Sequence, residues 1–276
     1  MPTTSEKRAQ FRRLHESDCF VIPNPWDVGS ACYLERMGFK ALASTSAGFA
    51  WSRGAGDGGV TREAVLAHLA ELSAAVDVPV NADFEGGFAD APEGVAESVR
   101  LCVETGVSGL SIEDYTGDMA KPLYDFDLAV ARIAAARAAI DKAGGGLVLT
   151  GRSEGFIRCK PDLGETIRRL KAYADAGAQC LYAPGISTRE QISAVVAAVA
   201  PKPVNLLIGT PSPLTVKDVA ALGVRRISVG GSLARAAWGG FIRAAKQIAE
   251  AGSFNGFADA APGAELSRAF TGRKSG

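Results

Sequence analysis

Charged side chains end three successive apolar runs of the chain. The run in "PVNAD" ends at Asp83, "GLSIED" ends in Glu113 and Asp114, and "LVLTGR" ends at Arg152. Carboxylates packed together at a partly dry site repel one another, and their pKa values rise. A divalent cation relieves that repulsion, and a shell of carboxylates and water suits Mg²⁺ or Mn²⁺ better than zinc. The spacing therefore predicts a metal site that includes Asp83 and Glu113.

Helix capping is the alternative explanation of these acids. An acidic residue after a strand often caps the next helix, and this alternative stays open for Asp83 taken alone. Capping explains Asp83, Glu113 and Arg152 together less well, because three neighbouring runs end in charge. Glu85 and Asp114 fit equally well as caps or as groups that orient a metal ligand.

Eight short apolar runs alternate with amphipathic segments along the whole chain, which predicts strands alternating with helices. Such a repeat is typical of a (β/α)8 TIM barrel. A doubly wound open sheet is the rival fold, but no G-x-G-x-x-G follows the first run. The predicted strands are 19–24, 41–45, 79–83, 109–114, 147–152, 180–184, 203–209 and 226–231.

In such barrels the active site lies where the strands end, so further polar residues at those ends become candidates. Thr45 and Ser46 follow the second strand, and Asp57 lies in the Gly-rich loop "SRGAGDGG" after it. Asn205 lies within the seventh strand and is a candidate for substrate binding. The loop after strand 4 and the segment after strand 5 supply possible proton carriers: Tyr115, Lys121, Tyr124 and Cys159. None of these four is singled out by the sequence.

Composition narrows the choice of partners. The 276 residues carry 30 basic and 30 acidic side chains, and no basic stripe is interleaved with aromatics, so nucleic acid and membranes are not expected partners. No apolar run approaches a membrane span, and the polar N-terminus lacks a signal-peptide pattern, so we expect a cytoplasmic protein. Five cysteines without a CxxC pair argue against a disulfide framework and a structural zinc site. We expect one domain over 1–276, with a C-terminal extension from about 253 to 276.

With "STSAG", "NADFEGGF", "SIED" and "GRSEGF" in this order, the chain resembles the isocitrate lyase/phosphoenolpyruvate mutase superfamily. The resemblance runs from about Phe11 to the helix after strand 8. It implies a Mg²⁺-dependent barrel that makes or breaks C–C or C–P bonds beside the carbonyl of small 2-oxo acids. It also implies a homotetramer or homodimer, and it makes the C-terminal extension a candidate for exchange between subunits.

The resemblance also assigns roles to single residues. Asp83 matches the aspartate that holds the metal through its water shell, and Glu113 matches a glutamate on the metal side. Arg152 matches the arginine that grips the substrate, and Asp57 matches an acid in the loop near the metal. The turn formed by Thr45, Ser46 and Ala47 matches the one that holds the substrate carboxylate.

Two departures from the family pattern bear on the reaction. Relatives carry Asp-x-Asp after strand 3, whereas this chain has Asn81-Ala82-Asp83; the Asn81 carbonyl can still ligate a metal, with one negative charge fewer. The lyase branch carries a Lys-Lys-Cys-Gly-His loop after strand 4, whereas this chain reads "EDYTGDMAKPLYDFD", without cysteine or histidine. Ordinary isocitrate or methylisocitrate cleavage is therefore not expected.

The leading hypothesis is a Mg²⁺-dependent carbon–carbon lyase that acts on a small 2-oxo or 2-hydroxy acid through a metal-stabilised enolate. An oxaloacetate-type decarboxylase is an alternative if the reaction needs no proton carrier. A phosphonopyruvate mutase or hydrolase is another, since "LLIGTPSP" and "SVGGSLARAA" lie where barrels bind phosphate. A barrel that binds a 2-oxo acid without turnover is a further alternative. Loss of turnover with unchanged thermal stability in an Arg152→Ala variant would support an enzyme.

Overall fold

A computed structural model describes residues 2–271 of the chain. Eight parallel strands pair in the order β1-β8-β7-β6-β5-β4-β3-β2, and a 3.0 Å hydrogen bond from the Ala43 N–H to the Pro23 carbonyl joins the two ends. The predicted (β/α)8 barrel is confirmed, and each strand lies inside its predicted apolar run. The strands are β1 Phe20–Ile22, β2 Leu42–Ala43, β3 Val80–Asp83, β4 Gly109–Glu113, β5 Val148–Arg152, β6 Cys180–Tyr182, β7 Val204–Leu207 and β8 Arg226–Ser228.

Helices follow the strands and cover the barrel, and the large apolar core lies between the two layers. Several begin with a side-chain cap, worth about 1 kcal/mol each. Thr3 and Glu6 form a capping box at the start of α1. The helices are α1 Thr4–Leu14, α2 Val28–Arg36, α3 Ser46–Ser52, α4 Arg62–Ala75, α5 Pro92–Glu104, α6 Phe126–Lys142, α7 Gly155–Arg158, α8 Leu163–Asp175, α9 Arg189–Val199, α10 Val216–Ala221, α11 Ser232–Ala251 and α12 Gly263–Phe270.

Strand register sets one row of side chains inside the barrel. Glu113 pairs with Arg152, Arg152 with Tyr182, Tyr182 with Asn205, and Asn205 with Arg226. Side chains paired in neighbouring parallel strands point to the same face of the sheet. Because barrel strands tilt, the row runs from the last residues of β4 and β5 to the first residue of β8. It therefore descends from the rim of the barrel toward its floor.

Helix α1 closes the opposite end of the barrel from the predicted site. Phe11 is fully buried and packs with Ile22, Ala41 and Val148 in a small apolar cluster inside the lower barrel. Gly109 leaves room for this packing, because a Cβ there would lie 2.6 Å from the Phe11 ring. The interior is thus filled at the bottom and open only at the carboxyl ends of the strands.

Helix α11 leaves the barrel rather than packing along it. Only Ala234 is buried in this helix, while Trp238, Phe241 and Ile242 are exposed. Beyond it, a short 3-10 helix (Asn255–Phe257) and α12 form the described part of the predicted extension; residues 272–276 lie outside the described residues. No helix within residues 2–271 is long and apolar enough to cross a membrane.

Candidate active site

The carboxyl ends of the strands enclose a polar cavity of about 170 Å³. Side chains from all eight strands or the loops that follow them line it, as expected for the active face of a (β/α)8 barrel. The residues used below that line it are Asn24, Ser44, Thr45, Ser46, Ala47, Asp57, Asn81, Asp83, Arg152, Tyr182, Asn205, Arg226 and Ser228.

Arg152, the last residue of β5, connects three acids at this cavity. One terminal nitrogen lies 3.2 Å from Asp83 Oδ1 and 3.1 Å from Glu113 Oε2, and Nε lies 2.6 Å from Glu154 Oε1. Burial alone would lower the pKa of the guanidinium, but Glu113 and Glu154 raise it well above its ordinary value. Arg152 is therefore a permanent cation, held in place by carboxylates from three successive strand ends.

Asp83 also binds the turn after β2. Its Oδ2 accepts the Ser46 N–H at 3.0 Å, and its own N–H donates to Ser44 Oγ at 2.9 Å. Thr45 begins α3 and accepts the Gly48 N–H at 3.3 Å. Asp83 therefore caps a helix, although this is α3, which precedes β3, and not the helix that follows it; its role as a metal ligand stays a prediction.

Two glutamates at the rim are costly to ionise. Burial is the main cause that raises the pKa of Glu113 to about 8, and Arg152 opposes the rise. Burial also raises the pKa of Glu85 to about 7, and the neighbouring charges of Asp83 and Asp57 add to the shift. Glu85 adopts a left-handed backbone with φ of 48°, which is unfavourable for a side-chain-bearing residue. The acids at the rim therefore carry more negative charge than the single guanidinium of Arg152 can neutralise.

Asn81 places an unpaired oxygen in the cavity wall below the rim. Its Oδ1 is buried and has no hydrogen-bond partner within residues 2–271, whereas Nδ2 donates to the Ala82 carbonyl at 3.1 Å. A Cβ on Gly109 would lie 2.7 Å from Oδ1, so this glycine gives the amide its space. An amide carbonyl and a carboxylate such as Asp83, which lines the same cavity, are both oxygen donors of the kind that a hard divalent cation prefers. The described residues contain no group of three His, Cys, Asp or Glu side chains placed to hold a metal, because Asp83 and Glu113 turn toward Arg152.

A second buried hydrogen-bond network, centred on Asp114, contacts Glu154, one of the three acids that pair with Arg152. Asp114 accepts the Glu154 N–H at 2.7 Å, the Tyr173 hydroxyl at 2.6 Å and an Arg169 nitrogen at 3.2 Å. The fully buried Glu154 in turn pairs with Arg158 at 3.1 Å as well as with Arg152. Asp114 therefore orients the cluster and does not face the cavity.

The structure does not bring every predicted site residue to the cavity. The Tyr115 hydroxyl donates to Met119 in the loop after β4, and its ring lies under the Arg158 guanidinium. Lys121 pairs with Asp125 at 3.0 Å on the surface. Neither side chain lines the cavity, and the predicted metal ligand Glu113 does not line it either. By contrast, Asp57 and Asn205 do line it.

Tyr182, Arg226 and Ser228 are cavity residues that were not among the predicted site residues. Tyr182 and Ser228 are the last residues of β6 and β8, and Arg226 is the first residue of β8. Only the two-residue alternation along these short strands could have indicated that they point inward. Asn24, also in the cavity wall, joins the strand ends, since its Oδ1 accepts the N–H groups of Val229 and Gly230 at 2.9 Å each.

Fold and site together define a (β/α)8-barrel enzyme whose small polar cavity suits a compact anionic molecule. The family model described as phosphoenolpyruvate phosphomutase matches residues 11–249. The chain therefore belongs to that family, and the predicted superfamily and class, a carbon–carbon lyase of the isocitrate lyase/phosphoenolpyruvate mutase superfamily, are confirmed.

Three known proteins illustrate the relationship. A structure from Burkholderia cenocepacia J2315, provisionally named a lyase/mutase, is 47% identical with a TM-score of 0.93, over 97% of this chain and 96% of that one. Oxaloacetate decarboxylase from Paraburkholderia xenovorans (strain LB400) is 32% identical over 82% of this chain and 75% of its own length. Oxaloacetate acetylhydrolase, solved with its product oxalate, has a TM-score of 0.84 and 26% identity, over 97% of this chain and 95% of that one.

Proposed function

We propose that the protein is a divalent-metal-dependent enzyme that breaks or forms a C–C bond next to the carbonyl of a small 2-oxo carboxylic acid. The convergence of Asp83 and Glu113 on one nitrogen of Arg152, at the mouth of a closed barrel, carries this proposal. Asp57, Asp83 and Arg152 line the cavity of about 170 Å³, and Glu113 contacts Arg152 at 3.1 Å, so acids and a cation are at hand for a metal and a small anion together.

Mg²⁺, or Mn²⁺ in its place, is the proposed cofactor. Asp83, Glu113 and the carbonyl of Asn81 would hold it, and Asp57 is a further acid that lines the cavity. When bound, such an ion supplies a Lewis acid that polarises a carbonyl oxygen. A cation would also favour the ionised form of Glu113, whose pKa burial raises to about 8. The site therefore fits the cofactor by its charge as well as by its oxygen donors.

The chain's own residues would bind and orient the substrate. Thr45, Ser46 and Ala47 line one side of the cavity and are proposed to receive the carboxylate. Arg152, which contacts the same Asp83 carboxylate as the Ser46 N–H, would stabilise negative charge that develops on the oxo oxygen as the bond breaks. Its planar fork bonds several oxygens at once, which a lysine could not do. Tyr115 and Lys121 remain candidates for proton transfer only if the loop after β4 moves.

Oxaloacetate decarboxylation is the first reaction to test, because a relative of that name is 32% identical to this chain. The experiment follows pyruvate release from oxaloacetate with and without Mg²⁺, against the rate in buffer, and includes phosphonopyruvate and 2-hydroxy acids. We expect metal-dependent turnover of one of these compounds. Binding of 2-oxo acids without any product would instead support a non-catalytic barrel.

Two Asp→Asn variants distinguish loss of the proposed metal ligand from a general effect of losing one negative charge. Asp83→Asn removes a proposed ligand charge, and Asp141→Asn makes the same change at a surface residue that is 63% exposed. We expect Mg²⁺ affinity, measured by calorimetry, to fall about 10- to 100-fold only in the first variant. Equal Mg²⁺ affinity in both variants would contradict the proposed ligand set.

We also propose that the protein is a homo-oligomer, a tetramer or dimer. The observation in support is the exposed apolar side of α11, which carries Trp238, Phe241, Ile242 and Ile248. A patch of this kind commonly marks a protein interface. Light scattering of the wild type and of Phe241→Asp should show a smaller species for the variant.

A further inference from the structure

Arg226 is a buried cation on the floor of the candidate active site. It is 3% exposed and lines the cavity. Its guanidinium contacts Asn205 Oδ1 at 2.8 Å, Thr150 Oγ1 at 3.0 Å and His15 Nε2 at 3.3 Å. These three partners are neutral groups, and no carboxylate among residues 2–271 forms a salt bridge with it, in contrast to Arg152.

His15 is fixed as an acceptor for Arg226. Its Nδ1 lies 2.7 Å from the Phe11 carbonyl, which can only accept, so Nδ1 carries the hydrogen and Nε2 faces the guanidinium without one. Burial first, and Arg226 second, lower the pKa of His15 to about 3. His15 is therefore neutral at physiological pH and adds no second positive charge below the cavity.

The guanidinium also fixes the direction of the hydrogen bonds above it. A guanidinium has five donors and no acceptor, so the oxygen of Asn205 must face Arg226 and its amide nitrogen must point away. That nitrogen donates to Ser228 Oγ at 2.9 Å. Because Ser228 accepts from Asn205, its own hydrogen is directed elsewhere.

Tyr182 is the next cavity residue along this row, because it pairs with Asn205 in the strand register. Its ring centre lies 5.0 Å from the Arg152 guanidinium. Burial raises the pKa of Tyr182 to about 12, so the hydroxyl stays protonated. The phenol can therefore donate its hydrogen to a ligand in the cavity.

We propose that Tyr182 is a hydrogen-bond donor to an oxygen of the bound 2-oxo acid, and that Arg226, Asn205 and Ser228 are positioning residues that set its direction. The hydrogen bonds run one way, from Arg226 through Asn205 to Ser228, and Tyr182 lies next to Asn205 in the strand register, beside Arg152. A neutral donor there would stabilise the charge that develops on the oxo oxygen without competing with the metal for the acids. This inference rests on the proposed function for the class of ligand.

The test measures oxalate binding by calorimetry in the presence of Mg²⁺, since oxalate has the planar shape and charge of the enolate of a 2-oxo acid. Tyr182→Phe removes only the hydroxyl, and Tyr33→Phe makes the same change at an exposed residue that bonds Glu265. We expect oxalate affinity to fall about 10- to 100-fold in Tyr182→Phe, because a donor to a charged oxygen is lost. Tyr33→Phe should bind as the wild type does.

Ser228 tests the direction of the hydrogen bonds. Ser228→Ala should weaken oxalate binding several-fold, and Ser228→Thr, which keeps a hydroxyl, should restore it. If Ser228 had only a structural role, Ser228→Thr would not restore oxalate affinity when the two variants have equal thermal stability. The Ser228 variants also test the inference if Tyr182→Phe is too unstable to titrate. If the wild type binds oxalate and either Tyr182→Phe or Ser228→Ala binds it with the same affinity, the inference is overturned and the proposed function still stands. Absence of oxalate binding by the wild type would overturn both.

Discussion

Glu113→Gln tests whether the buried acid at the rim costs stability in the metal-free protein. The side chain is 10% exposed, and burial raises its pKa from 4.5 to about 8. A carboxyl group that holds its proton more tightly when folded stabilises the fold below its unfolded pKa. That contribution is lost as the pH rises through its folded pKa. The wild type should therefore lose stability relative to Glu113→Gln between about pH 4.5 and pH 8.

The expected size follows from the pKa values. Each pKa unit is worth about 1.4 kcal/mol, so a rise from 4.5 to about 8 sets an upper limit of about 5 kcal/mol. The charge of Arg152 opposes this rise, so we expect about 2 kcal/mol across this pH window. Mg²⁺ favours the ionised carboxylate and should reduce the difference between wild type and variant.

Urea unfolding of both proteins at a series of pH values, with and without Mg²⁺, measures this difference. Glu104→Gln, at a side chain that is 63% exposed, serves as the control for the substitution itself. Parallel stability curves for the wild type and Glu113→Gln would refute the reasoning, since the carboxyl would then ionise as freely in the folded chain as in the unfolded one.

Three further substitutions test single contacts. Arg152→Ala should abolish oxalate binding. It should also lower the free energy of unfolding by about 3 kcal/mol, because it leaves the buried Glu113 and Glu154 without their partner. Unchanged stability would show that these ion pairs do not stabilise the fold. Gly109→Ala should cost about 1–3 kcal/mol in urea unfolding, since its Cβ would lie 2.6 Å from the Phe11 ring; no loss would mean that α1 moves freely. Tyr173→Phe should cost about 2 kcal/mol by the same assay, because the hydroxyl bonds the buried Asp114 at 2.6 Å; a neutral effect would show that water replaces the bond.

The strands and their order could be predicted because their signals are local. Each strand of a (β/α)8 barrel is buried on both faces, so it forms a short apolar run that helical patterns separate. The exact ends were less predictable, as in β2, where only Leu42–Ala43 of the run 41–45 is strand. Thr45 and Ser46 instead begin α3, because the Thr45 hydroxyl caps that helix.

The strand-end residues of the site were predictable for a similar reason, whereas the partners of each acid were not. Sequence position indicates that Asp83, Glu113 and Arg152 meet at one rim, because parallel strands end at the same side of a sheet. It does not indicate that Arg152 reaches both acids with one nitrogen, or that Asp83 accepts the Ser46 N–H. Those contacts depend on side-chain rotamers and on loop paths, which the order of residues does not specify.

Arg226 shows how the floor of such a site could be found from sequence. It is the first residue of β8, where an arginine suggests an exposed strand end. Its inward direction follows only from Ser228, because residues two positions apart in a strand point to the same face. The same two-residue step links Thr150 to Arg152, and Cys180 to Tyr182. Once one strand-end residue is known to face the cavity, the residue two positions earlier must face the barrel interior below it. A charged residue at that position cannot reach solvent through the closed floor, so it must act on the site above it or be matched by buried partners. Arg226 has only neutral partners in the described chain, and its charge is therefore directed at the cavity.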